Sequence, residues 1–215
     1  MVTRPSSARC PTVLFVAAII ALTASPGSAA QREYSGTESF AAPDGTRVVI
    51  DTDSVDVRLR TADVSEVEVA TELRISGVGE ERAENWVASH MPASGVSDGR
   101  ITVTVSPGRS GFLGLGTLTA RARLGFLLPG HVVPDITTTG GSVSIRGDLP
   151  NARPLYLRTA TGDIELVGAA ASVDVRTASG DTRLELLRPL ERFFARTSSG
   201  NLSLSGGSRE VHADT

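Results

Sequence analysis

The sequence predicts an all-β protein made of parallel β-solenoid or β-helix-like repeats, with one short amphipathic helix inserted in the N-terminal half. Three observations predict it. Apolar and polar residues alternate with period two over most of the chain, a Thr-x-x-Gly motif returns at intervals near twenty residues from about residue 137, and only 79–91 breaks the alternation with a polar run of helix formers. Aromatic residues make up only 4% of the chain, so the core must rest on Val, Ile, Leu and Thr.

The first thirty residues read as a signal peptide and not as part of the domain. Arg4 and Arg9 precede the apolar run 13–24, and small residues follow it up to Ala30, the expected cleavage position. An apolar run of about 12 residues spans about 18 Å as a helix, against roughly 30 Å of hydrocarbon. No stable transmembrane anchor is expected in the mature chain. Cys10 lies within this leader, so the exported chain, 31–215, would have neither disulfide nor thiol chemistry. The formal net charge is −3, and losing the two leader arginines makes the remainder more acidic, which argues against nucleic-acid binding.

Along the mature chain, 46–61, 65–75, 100–105 and 142–147 alternate as half-buried strands. In 79–91, Ala83, Trp86, Val87 and His90 fall at i, i+3, i+4 and i+7, which predicts a helix with one face on the sheet. Residues 106–116 read as a loop or hairpin, and 127–135 as strand, turn, strand.

The repeats begin next. Thr138, Thr159, Thr177 and Thr197 are spaced by 21, 18 and 20 residues, and Gly141, Gly162, Gly180 and Gly200 each follow three residues later. Two short strands and two turns fill such an interval, which is one solenoid coil; stacked coils hydrogen-bond at about 4.8 Å. The alternation places Leu155, Leu157, Thr159, Val173, Val175, Thr177, Ile164, Leu166, Thr182, Leu184 and Leu186 inside. Arg158, Asp174, Arg176, Glu165, Arg183 and Glu185 then face solvent. Residues 211–215 match 173–177, with Thr215 in the threonine slot, so the sequence is expected to continue into a further coil.

The opening pair VVIDTDSVDVRL, the polar helix, LGFLLPGHVVPDITTTGGSVSIRG and Gly-Asp coils such as LRTATGDIELVG resemble the bacterial putative adhesin domain, a family of envelope-associated domains of unknown function. The resemblance covers roughly residues 40–215. It implies a single exported β-solenoid domain in the periplasm or at the cell surface, and it brings no catalytic residues.

Candidate chemistry is sparse. Asp163 and Asp181, with Asn201 in the same slot, would form a column able to share a cation; the alternative is turn chemistry, with Gly supplying positive φ and the carboxylate accepting backbone N–H groups. Arg158, Arg176 and Arg196 would form an outward column suited to anionic groups, or a solvated face offset by acids such as Asp174. Stacked threonines can hydrogen-bond along the column. The Gly-x-Ser-x-Gly at 95–99 lies between a helix and a strand, the reverse of a nucleophile elbow, so Ser97 reads as a turn residue. His90, His131 and His212 lack metal-ligand spacing, and no cofactor is expected. Phe112, Leu113 and Leu115 suggest an apolar tip or a cover for an open coil end.

These readings converge on an exported, non-enzymatic, adhesin-like module whose partner is an envelope polysaccharide or envelope protein. The rivals are a polysaccharide-active β-helix enzyme using Asp163, Glu165, Asp181 or Glu185, and an envelope-stress-sensing partner domain.

Overall fold

A computed structural model describes residues 14–23, 31–106 and 119–214. The first strands are β1 (Leu14–Thr23), β2 (Gln31–Ala41), β3 (Arg47–Thr52), β4 (Asp56–Ala62) and β5 (Glu66–Ser76). Helix α1 (Glu80–His90) follows, then β6 (Ala93–Ser97), β7 (Arg100–Val105), β8 (Thr119–Pro129) and β9 (Pro134–Thr138). The repeats form β10 (Val143–Thr161), β11 (Ile164–Ser179), β12 (Thr182–Leu186), β13 (Leu190–Thr197), β14 (Leu202–Ser205) and β15 (Ser208–Asp214).

The protein is thus all-β with one helix among the described residues, and its strands join in one continuous sheet. That sheet corrects the expectation of a parallel β-solenoid: it is mixed and wraps in a barrel-like way round a single core. β2, β5 and β8 are neighbours in antiparallel register, as are β1 with β2 and β6 with β7. Tight reversals cause part of this. Between β6 and β7, Asp98 and Gly99 take φ of 51° and 70°, the two-residue hairpin geometry that returns a strand beside itself. Parallel pairing begins where connections are long enough to carry the chain round, at β4 with β8 and β10, and at β3 with β7 and β9.

The long strands β10 and β11 each turn a corner. Residues 143–146 of β10 pair with β4, whereas 156–159 pair with β9, and the register against β11 breaks between Leu149 and Pro154. Two arms of sheet therefore run from each strand: β12 and β14 extend one, β13 and β15 the other. Their inner faces share one apolar core that includes Ile50, Leu59, Ile145, Leu157, Leu166 and Phe193. Of the eleven residues expected inside, all are buried except Leu186, which is half-buried on β12.

The repeat glycines have a cause that is only partly conformational. Gly180 and Gly200 do take φ of 127° and 123°, but Gly141 and Gly162 do not have positive φ. What the four share is crowding. A Cβ on Gly180 would lie 2.4 Å from the carbonyl oxygen of Gly162, and one on Gly141 would lie 1.8 Å from that of Val55. Each coil corner thus rests directly on the backbone of the coil before it.

Helix α1 forms where the spacing places it. Ala83 is buried, Trp86 and Val87 are half-buried against the core, and His90 is half-buried against Trp86. Glu80 and Glu81 complement the positive N-terminal end of the helix, and Arg32 of β2 pairs with Glu80 and, at 3.6 Å, with Glu84. Strand β1 lies within the expected leader; its pairing is with β2 alone, at one end of the sheet order. The expected loop at 106–116 lies almost wholly outside the described residues, with Phe112, Leu113 and Leu115, as does Thr215.

Candidate functional site

The outward faces of the repeat strands bring the predicted arginines together. Parallel register sets Arg158 beside Arg176 and Arg176 beside Arg196, with Thr137 before them and Asp214 after. All three arginines are exposed, and they border a shallow depression of about 460 Å³ with Thr137, Thr139 and Ser198. Their charges are unequally compensated. Arg176 donates from Nε and Nη2 to the two carboxylate oxygens of Asp174, at 3.1 and 3.2 Å, and Arg196 lies 3.6 Å from Asp214. Arg158 has no carboxylate partner among the described residues.

The neighbouring outward row carries rings. Phe194 stacks on His212 with centroids 5.3 Å apart, and the Arg176 guanidinium lies 5.5 Å over the Phe194 ring. That cation–π contact and the Asp174 fork hold Arg176 in place. A fixed Arg176 beside an open Arg158 gives the row one rigid and one available donor fork.

Asp163 and Asp181 form the expected column at the corners, and their oxygens are engaged locally. Asp163 Oδ1 accepts the backbone N–H of Asp181 at 2.9 Å, and Asp181 Oδ1 accepts the N–H of Asn201 at 2.8 Å and its side-chain amide at 3.1 Å. Among the described residues no three His, Cys, Asp or Glu side chains are grouped to hold a metal ion. Asp181→Ala should cost about 1 kcal/mol, since one carboxylate serves two donors at an exposed corner. Chemical denaturation would check this, and an increase in stability would contradict the local role.

The threonine column is buried at Thr138, Thr159, Thr177 and Thr197. Its hydroxyls do not bond along the stack as expected. Thr177 and Thr197 donate to the carbonyls of Ser179 and Ser199, each at 3.1 Å, and Thr138 accepts the N–H of Gly141 at 3.2 Å. At Thr138, Thr177 and Thr197 the local turn is nearer than the next coil, so the hydroxyl closes its own corner, whereas the buried Thr159 hydroxyl has no hydrogen-bond partner among the described residues.

Glu165 and Glu185, named for a hydrolytic role, hold surface partners. Glu165 accepts from Ser144 at 3.0 Å and lies 3.5 Å from Arg146; Glu185 accepts from Arg183. Ser97 ends β6 beside the hairpin turn, and its hydroxyl donates to Asp98 at 3.3 Å.

Sequence reasoning missed a second surface on the other arm. Arg58 and Arg60 of β4 sit beside Ser144 and Arg146 of β10, in a depression of about 360 Å³. Nothing in the separation of positions 58 and 146 signals this, because the sheet order alone makes β4 and β10 neighbours.

No family model matches the sequence, and no curated protein does. Among solved structures, the chain is similar to a putative cell adhesion protein from Clostridium sporogenes at 10% identity, over 83% of this chain and 99% of that one, with a TM-score of 0.50. A putative adhesin from Bacteroides fragilis aligns at 13% identity over 83% and 96% of the two chains, with a TM-score of 0.31. A putative lipid binding protein from Parabacteroides distasonis aligns at 10% identity over 83% and 96%, with a TM-score of 0.33. At such identities the first likeness concerns fold alone, and the two weaker ones add nothing to it. In its fold, the chain is similar to a protein named for cell adhesion, in agreement with the adhesin-domain resemblance of its sequence.

Proposed function

We propose that this chain is an exported, non-enzymatic, adhesin-like module of the bacterial envelope or cell surface. Its stacked parallel coils act as a rigid scaffold that presents Arg158, Arg176 and Arg196 to anionic groups of an envelope polymer. The observation that carries the reading is the row itself: three exposed guanidinium groups on adjacent strands, about 4.8 Å apart, with Arg158 unpaired among the described residues. A repeating ligand suits a repeating surface, because each added register sets a further guanidinium in the row, although Arg176 and Arg196 also meet Asp174 and Asp214. Export in this reading removes residues 1–30 as a leader and leaves 31–215 as one domain. β1 in that reading leaves with the leader, and its strand partner is β2 alone.

The decisive experiment is a pull-down from the native envelope with the secreted protein, alongside Arg158→Gln/Arg176→Gln/Arg196→Gln. Retention of the triple variant on anionic cell-wall material should fall by roughly tenfold or more. Unchanged retention would dispose of the arginine row as the binding surface, and recovery of no envelope component would remove the adhesin-like reading itself.

A further inference from the structure

Away from the repeat arginines, two depressions meet at one side chain. Asp56, at the start of β4, lines both the 360 Å³ depression over β4 and β10 and a second one of about 310 Å³ beside helix α1. The second is walled by Trp86 and His90, with Ser54 and Arg121. Trp86 and His90 stack with centroids 4.1 Å apart at 25°. His90 Nδ1 lies 2.8 Å from the Trp86 carbonyl oxygen, and Ser89 Oγ donates to the same oxygen at 2.8 Å. The ring pair is therefore fixed before any ligand arrives. Ser54 holds φ at 57°, a costly conformation for a residue other than glycine, where the chain passes from β3 into the groove.

From Asp56 to Arg60, β4 borders the first depression for about 13 Å, and Ser54 lies just before it beside the second. The polar groups are mixed: Arg58, Arg60, Arg121 and Arg146 against Asp56 and Glu165, with the hydroxyls of Ser54, Ser142 and Ser144. Arg58, Arg60 and Arg121 are exposed and have no carboxylate partner among the described residues. The groove is thus locally cationic in a chain whose net charge is −3.

We propose that this groove binds a short acidic oligosaccharide. The Trp86–His90 pair packs against the apolar face of one sugar ring, Asp56 and the serines bond ring hydroxyls, and Arg58, Arg60 and Arg146 take the carboxylate or ester groups of the following units. A simple polyanion is the poorer fit: Asp56 and Glu165 repel it, and the rings give it nothing to stack on. Polyhydroxyl ligands use acceptors, donors and an apolar wall together. The site is separate from the Arg158 row, and each can stand without the other.

Trp86 is the only tryptophan of the sequence, so its fluorescence reports on the site directly. Titration with a uronic-acid tetrasaccharide should change that emission, and a neutral glucan tetrasaccharide should bind roughly tenfold or more weakly. Arg58→Gln/Arg60→Gln, two exposed positions, should weaken the acidic ligand by a similar factor with the circular-dichroism melt unchanged. Trp86→Phe should weaken both sugars alike when followed by calorimetry. The Arg158→Gln/Arg176→Gln/Arg196→Gln protein should bind as the parent does. Three results would overturn the proposal: no binding of the acidic sugar at millimolar concentration, equal affinity in Arg58→Gln/Arg60→Gln, or inorganic polyphosphate competing equally without altering Trp86 emission.

Discussion

Gly180→Ala is expected to destabilise the protein by about 3 kcal/mol, through backbone strain and overpacking together. The new Cβ would stand 2.4 Å from the Gly162 carbonyl oxygen and 2.8 Å from its carbon, and neither belongs to a side chain that could swing aside. Gly180 also takes φ of 127°, a region that other residues rarely adopt. Relief would require separating two stacked coils and stretching the ladder between β11 and β12. Gly95→Ala is the control, since its new Cβ would meet no atom within 4 Å and its φ is not positive. It should shift stability by no more than about 0.5 kcal/mol. Urea denaturation midpoints for the two variants measure the contrast; equal midpoints would show that the corners do not bear on one another.

Phe193→Ala should cost about 3–5 kcal/mol, the range for deleting a buried ring. Phe193 is 1% exposed and lies beside Val173 of β11 and Val211 of β15 in the stacked register. It is the one large ring among the buried residues of the repeat coils, so the smaller side chains around it cannot refill its space. Leu187→Ala gives the comparison: at 73% exposure it should change stability by less than about 0.5 kcal/mol. A small loss for Phe193→Ala would mean that the coils collapse readily onto the cavity, which a ladder fixed on both sides should prevent.

The repeat half of the fold was legible because two independent periods agree there. Alternation assigned Leu155, Leu157, Val173 and Val175 to the interior, and the near-twenty-residue return of threonine set Thr159 beside Thr177 and Thr177 beside Thr197, the pairing found. Helix α1 was legible for a similar reason, since four residues at helical spacing stand out from a period-two background. The N-terminal half was not. Strand β2, with exposed and half-buried residues along most of its length, carries little apolar signal, and nothing local announces that it lies antiparallel to β5. The threonine hydroxyls were not legible either, because the repeat spacing brings the stacked neighbours together but does not reveal that, for Thr177 and Thr197, a carbonyl of the local turn lies nearer.

Of the candidate surfaces, the arginine row could be read from the repeat spacing, because a fixed period carries every outward position into a column. The groove at Asp56 could not be. It joins Ser54 and Arg58 to Trp86, Arg121 and Arg146, residues far apart in the chain that meet because β4 pairs with β8 on one side and β10 on the other. By itself, then, the sequence determined the strand-rich character, the parallel neighbours among the repeat strands with their inward and outward faces, and the helix, all of which follow from short-range periodicity and the steric demands of single residues. Only the tertiary structure decided the mixed strand order, the closeness of the coil corners and the groove. Which edges pair depends on the packing of the whole core, and no local pattern encodes that choice.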